Sequence, residues 1–494
     1  MQGVVQIGVL SVLARLLSPR DFGLVSLAAI FVGLATLVAN FGLSECIVRR
    51  SRLTERDIRA GFTLAMLLGL GGTLLLGATA PLAGALFDNP SVVRLVLALS
   101  LAVLITNAGL IADALLQRRM AWRALMWADI GSYLAGYAAT GTILALMGFG
   151  PWALVGSALG QALLRTGFLL AAQSHPKRLL IGGAEFIELF RYGRGFTAAR
   201  LSNYGAQQAD NLVVGRVLGA GPLGFYSRAF KLMTTTVQYF GTIVTRVLFP
   251  AMARVQHDPQ QLKTAYLTGC AALALVSAPL SVLMVVSGPE LVQLVLGPKW
   301  QASIVPLQIL SLGLMPRNVS QMSYCLDAAL GAMSRRAIRD GVYLLAVVAG
   351  SLVGVRHGLP GVAAGVVAAT FVQYAIATLM SMQLVGHSWP EYFESQAPGL
   401  VLGAVAVAFA VPLRLALRSF DLYPAVVLLL TVLPSLALVA LLLLLRPRIA
   451  GQYGQIALRN LGAALAGRQL GGGTVSWDGL RREFASRWGQ WINP

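Results

Sequence analysis

Residues 195–250 read GFTAARLSNYGAQQADNLVVGRVLGAGPLGFYSRAFKLMTTTVQYFGTIVTRVLFP, and they decide the fold because they place charge where the surrounding hydropathy leaves almost none. At the roughly 100° per residue of a helix, Arg200, Asn203, Gln207 and Asp210 share one narrow stripe of an otherwise apolar segment. The next segment repeats the pattern. Lys231, Thr235, Gln238, Thr242 and Thr245 line one face with Arg246 beside it, while Phe230, Leu232, Met233, Phe240 and Val244 cover the rest. Even conservative scales put a charge at the bilayer centre at about 2.5–3.5 kcal/mol, so such groups face a bundle interior or a hydrated cavity. Both stripes are therefore expected to face a hydrated central space.

The whole chain fits that setting. Of its 494 residues 57% are hydrophobic and 12% charged, with a mean hydropathy of +0.73, the profile of an all-α polytopic membrane protein. The net charge of +19 would suggest nucleic acid in a soluble protein. Here the basic residues sit in short clusters between apolar runs, where they hold loops on the cytoplasmic side, and no nucleic-acid partner is expected. Cys46, Cys270 and Cys325 lie in or beside apolar segments without metal-ligand spacing. The opening MQGVVQIGVLSVLARLL lacks a basic n-region and a small-residue cleavage site, and it is short for a span of about 20 residues.

Apolar runs at 2–17, 22–43, 60–86, 91–116, 125–147, 151–172, 195–218, 223–249, 265–287, 302–330, 337–356, 360–386, 397–417 and 423–445 give about 14 transmembrane helices. Pro81, Pro279, Pro306, Pro316, Pro412 and Pro434 are expected to bend them. Loops after even-numbered spans carry Arg49, Arg50, Arg52, Arg56 and Arg59, then Arg118, Arg119 and Arg123, then Lys177, Arg178, Arg191 and Arg194, then Arg254 and Lys263, then Arg335, Arg336 and Arg339. The opposite loops are leaner, so both termini are expected in the cytoplasm.

An internal repeat recurs at an offset of roughly two hundred residues. RLLSPRDFG at 15–23 answers RVLGAGPLG at 216–224, each joining an odd span to an even one; Arg118-Arg119 answers Arg335-Arg336, and GFGP at 148–151 answers HGLP at 357–360. Spans one to six (1–185) and seven to twelve (186–386) are expected to form two pseudo-symmetric six-helix lobes, with two extra helices over 387–446 and a cytoplasmic tail over 447–494. The copies differ in chemistry. Where the second has Lys231, Gln238 and Arg246, the first has Ile30, Leu37 and Glu45, so the expected site is one-sided and favours an anion. In the tail, Trp477, Leu480, Phe484, Trp488 and Trp491 share a face opposite Arg481, Arg482 and Arg487, the pattern of an interfacial helix or of a partner-bound tail.

Catalytic and nucleotide motifs are missing from the sequence: it contains no GxxxxGK[ST], HExxH or CxxC, and His175, His257, His357 and His387 all fall in expected loops, where solvated side chains are the ordinary case. Short external loops leave little room for an enzyme site. The cavity candidates are Arg200, Asn203, Gln207, Lys231, Gln238, Arg246, Arg317 and Gln321, with Asp210 and Glu45 as ion-coupling or pairing groups. Each has a plain alternative: amides between membrane helices often bond a neighbour, Asp210 has Arg200 or Arg216 in range, Arg246 could serve at the headgroups, and Glu45 and Asp113 stand beside basic loops.

The chain resembles bacterial polysaccharide (O-antigen type) flippases of the multidrug/oligosaccharidyl-lipid/polysaccharide exporter superfamily. LARLLSPRDFGLVSLA at 13–28, GLSECIVRR at 42–50, QRRM at 117–120, ADNLVVGRVLGAGPLGFYSRAFKL at 209–232, LFPAMARVQ at 248–256 and GPKW at 297–300 carry the resemblance. It implies two lobes around a central cationic cavity, a cargo of undecaprenyl-pyrophosphate-linked oligosaccharide, and movement from the inner to the outer leaflet of the bacterial inner membrane for exopolysaccharide, capsule or O-antigen synthesis. It further implies membrane lipids, a polysaccharide polymerase and glycosyltransferases as partners, no cofactor, and a coupling ion, H+ or Na+, that stays open. A drug/cation antiporter of the same superfamily and a membrane enzyme of polysaccharide assembly are the alternatives, and a scaffold for such enzymes is a third.

Overall fold

A computed structural model describes residues 2–50, 53–176, 178–180, 186, 201, 204–420 and 422–465, with the side chains at 2, 4, 236–251, 333, 334 and 461–465 left aside. Arg200, Asn203 and the Trp-rich segment after 466 lie outside the described residues, as do the side chains of Gln238 and Arg246.

The described chain is helical throughout: α1 Gln2–Leu16, α2 Pro19–Asn40, α3 Leu43–Arg49, α4 Glu55–Leu86, α5 Pro90–Arg118, α6 Trp122–Gly131, a π segment Ser132–Ala139, α7 Thr140–Leu146, α8 Pro151–Ala172 and α9 over 204–217. There follow α10 Ala220–Arg254, α11 Pro259–Val286, α12 Gly288–Val295, a 3₁₀ turn Pro298–Ser303, α13 Ile304–Leu312, α14 Leu314–Ala329, α15 Met333–Gly354, α16 Gly358–Val385, α17 Trp389–Arg418, α18 Pro424–Leu445 and α19 Gly451–Leu465. Among the described residues, eight helical stretches are long and apolar enough to cross a membrane.

The motifs of the sequence turn out to be helix ends. In Ser18-Pro-Arg-Asp21, Ser18 caps α2, Pro19 opens it, and the Asp21 carboxylate accepts from the Ser18 backbone N–H at 2.9 Å, a reciprocal capping box. Thr54 with Asp57 and Ser388 with Glu391 start α4 and α17 in the same way. Arg118 of the QRRM motif donates to the Ile47 and Val48 carbonyls at 3.2 Å, covering the C-terminus of α3. Lys299 and Trp300 of GPKW donate to the Arg15 and Ala14 carbonyls at 2.8 and 2.9 Å, doing the same for α1.

Two local expectations are corrected. Span two breaks at Phe41 and Gly42, both with positive φ, and Glu45 opens the short α3. Pro306 and Pro316 do not bend one long span; each lies in the first turn of its own helix, α13 or α14, where a missing N–H leaves no intrahelical bond unmade. Beyond Leu445, in the stretch expected as a tail, α19 packs on α11 and α17.

Two compact units emerge. One holds Met1–Leu232, Pro289–Leu310 and Ala337–Ala369; the other holds Met233–Gly288, Ser311–Arg336 and Thr370–Pro494. In the first, α5 packs on α2, α4 and α8. The two segments of the internal repeat meet there face to face. A Cβ on Gly23 would lie 1.6 Å from the Ala220 carbonyl oxygen, and one on Gly224 would lie 1.8 Å from that of Pro19, so each glycine admits the helix start of the other copy. Ser26 and Ser227, related by the same offset of 201, hydrogen-bond at 3.3 Å. Arg15 reaches the Leu294 carbonyl at 2.9 Å, and its repeat mate Arg216 reaches Asp88 in an ion pair. Contacts that exchange residue i for its copy are those of a local two-fold.

In the second unit, Tyr266, Leu267, Cys270, Met322, Leu326 and Tyr392 are buried in one cluster. His387, expected in solvent, is 3% exposed beside Tyr266 and Tyr392, with rings 5.5 and 5.2 Å away. His175 is likewise buried, its ring against Phe62.

Candidate functional site

The site is built on the start of α10. Gly224 brings this helix against Pro19, and Ser303 Oγ donates to the Phe225 carbonyl at 2.9 Å. One turn further in, Arg228 projects toward α2, its guanidinium carbon 4.9 Å from the centre of the Phe22 ring, a cation–π contact. Trp300 holds that ring from the side at 5.4 Å and packs on Phe225 at 5.8 Å. The Arg228 Nε is buried and finds no hydrogen-bond partner among the described residues. Around the same guanidinium, Tyr137 and Tyr133 of the π segment lie within electrostatic range. Their rings stack at 5.2 Å and 7°.

Lys231, three residues on, is exposed and interacts electrostatically with Arg228. Two cations on one helix face, one of them with a buried donor unsatisfied, can bind an anion by charge-assisted hydrogen bonds. Asp210 on α9 is 2% exposed and accepts from the Tyr226 hydroxyl at 2.8 Å and from the Asn211 N–H at 2.8 Å. Arg216, one of the partners anticipated for Asp210, instead pairs with Asp88. Gln207 is exposed on α9, and Glu45 is half-buried on α3. Arg317, half-buried, and Gln321, exposed, stand on α14 in the second unit.

Sequence reading missed Arg228. It stands on the Lys231–Thr235 stripe one turn earlier, so extending that stripe backwards would have found it; the tyrosines carried only an i, i+4 aromatic spacing. It also put Asp113 beside a basic loop. The structure joins Asp113 to Arg165 of α8 at 3.5 Å, and Arg165 to Asp129 of α6 at 2.7 Å. A separate groove of about 500 Å³ between α1 and the π segment, lined by Val5, Val9, Val12 and Ile143 among others, is apolar and offers an anion nothing.

Known proteins give this arrangement a context. The chain is 26% identical over 318 residues to the lipopolysaccharide biosynthesis protein WzxC of Escherichia coli (strain K12), covering 64% of each chain, just under two thirds of that relative's length. It is 25% identical over 424 residues to the succinoglycan biosynthesis transport protein ExoT of Rhizobium meliloti (strain 1021), covering 82% of this chain and 81% of that one. Among solved structures, the lipid II flippase MurJ in an inward closed conformation superposes with a TM-score of 0.67 at 14% identity, over 88% of this chain and 96% of that one. An inward-facing multidrug resistance MATE transporter of the MOP superfamily gives 0.63 at 16% identity, over 78% and 95%. These two likenesses establish the fold. A family profile described as "Polysaccharide biosynthesis protein" matches residues 12–305, more than half of the chain, and the chain therefore belongs to that family.

Proposed function

We propose that this protein is a flippase, moving a polyprenyl-diphosphate-linked oligosaccharide from the inner to the outer leaflet of a bacterial cytoplasmic membrane. The observation that carries the reading is Arg228 on α10, a guanidinium against the Phe22 ring with its Nε unbonded among the described residues, and Lys231 beside it. A diphosphate supplies the acceptor that the Arg228 Nε lacks, and its charge suits the neighbouring ammonium. The biosynthetic names of WzxC and ExoT, and the lipid-linked cargo in the name of MurJ, support the same cargo class. In this reading the lobes of 1–185 and 186–386 alternate between inward and outward openings, both termini lie in the cytoplasm, Asp210 serves to hold Tyr226, and polymerase and glycosyltransferases act on either side of the transport step.

The test is export. Arg228→Gln combined with Lys231→Gln is expected to reduce polymer export at least tenfold while the protein stays in the membrane at its usual level, with lipid-linked oligosaccharide accumulating on the inner leaflet. Unchanged export at unchanged protein level would overturn the reading.

A further inference from the structure

The π segment Ser132–Ala139 is a local departure from the helix that carries it, and such departures gather at functional sites. Its sequence, SYLAGYAA, puts Gly136 against α8, where a Cβ would come within 2.6 Å of the Gly160 carbonyl oxygen and of the Gln161 Cα. That close approach anchors one side of the segment. The two tyrosines leave it in a stacked pair, both half-buried, in electrostatic range of Arg228. Phe22, from α2, lies against the same guanidinium. One ring thus lies against the cation, and two more, both carrying phenol hydroxyls, stand within its electrostatic range.

An anion alone needs no such wall. A sugar ring next to a diphosphate does: its C–H face lies against an aromatic face, its hydroxyls exchange hydrogen bonds with phenols, and the phosphate oxygens take the guanidinium. We propose that Tyr133 and Tyr137 form the platform for the first sugar of the lipid-linked saccharide, with Arg228 holding the adjoining diphosphate. This rests on the flippase reading above and adds to it the residues that distinguish a saccharide-bearing lipid from the bare carrier.

The experiment uses the full chain in detergent micelles and two probes: undecaprenyl diphosphate without sugar, and saccharide-bearing lipid extracted from a producing strain. Tyr133→Ala with Tyr137→Ala is expected to weaken binding of the saccharide-bearing lipid about tenfold and to leave the bare diphosphate lipid within about twofold. Tyr137→Phe, which keeps the ring, is expected to retain most of the affinity, and it controls for misfolding. Equal losses on both probes would show that the tyrosines merely position Arg228, and no loss on either would remove them from the site; both results overturn the platform. Arg228→Gln judges the diphosphate reading separately, since it is expected to weaken both probes alike. If it changes neither, that reading fails whatever the tyrosines do.

Discussion

Arg165 stands between Asp129 at 2.7 Å and Asp113 at 3.5 Å, joining α5, α6 and α8. Replacing it with Gln leaves two carboxylates facing each other in an apolar bundle. Removing one partner of a fully buried pair costs several kcal/mol; because Asp129 is 39% exposed, the expected loss here is about 1–3 kcal/mol, read as a lower unfolding temperature of purified protein, with Arg165→Lys intermediate. His387 makes a pH prediction. Burial beside the tyrosines, aided by the Lys263 charge, pulls its pKa below the ordinary value of about 6.5, with the Ser388 carbonyl and Glu391 opposing. The unfolded chain therefore takes up the proton first, so its contribution to stability is intact above about pH 6.5 and is lost as pH falls toward the folded-state value. Unfolding temperature measured from pH 7.5 to 5 should show this decline, and His387→Gln should flatten it. Neither feature was legible in sequence: a histidine in a three-residue connection reads as solvated, and only tertiary packing brings two aromatic rings against it.

At the scale of elements, the end signals were legible and the irregularities were not. Ser18-Pro-Arg-Asp21 announces a helix start from chemistry alone, since cap, N1 proline and N3 carboxylate act within four residues. Ser18→Ala is expected to cost about 1 kcal/mol of stability. Gly23→Val should do far more harm, because its Cβ would overlap the Ala220 carbonyl at 1.6 Å, and neither backbone can yield without moving a helix; fluorescence-detected size exclusion should show most of that variant aggregated. The π segment has no such local mark. SYLAGYAA reads as ordinary helix, and what distinguishes it is the approach of α8 to Gly136, a contact set by a neighbour. The break at Gly313 was hidden similarly, since Pro306 and Pro316 were legible as prolines but not as first-turn residues.

For the whole molecule, the sequence offers loop motifs that recur at offsets of roughly two hundred residues, and the structure brings one pair of them, at 15–23 and 216–224, into contact. Arg228 and Lys231 share one helix and so can be read from spacing, whereas the Phe22 and Tyr133–Tyr137 rings come from distant parts of the chain. If transport parts the repeat-related helices, fixing them together should stop it. Ser26→Cys with Ser227→Cys places two thiols where hydroxyls now sit 3.3 Å apart. Oxidation of this pair is expected to abolish polymer export and reduction to restore it, with each single variant unaffected; export that persists in the oxidised protein would mean the joint stays closed throughout the cycle.

That joint also bears on descent. A surface in which Gly23 receives Ala220 while Gly224 receives Pro19 is complementary to itself. An ancestor of half this length would have held, in that surface, the means to pair with a second copy, and end-to-end fusion of the two genes would leave the pairing intact. Once fused, the halves no longer had to be identical: one could carry Ile30 and Leu37 where the other has Lys231 and Gln238, while the glycines at the joint stayed bound to one another's needs.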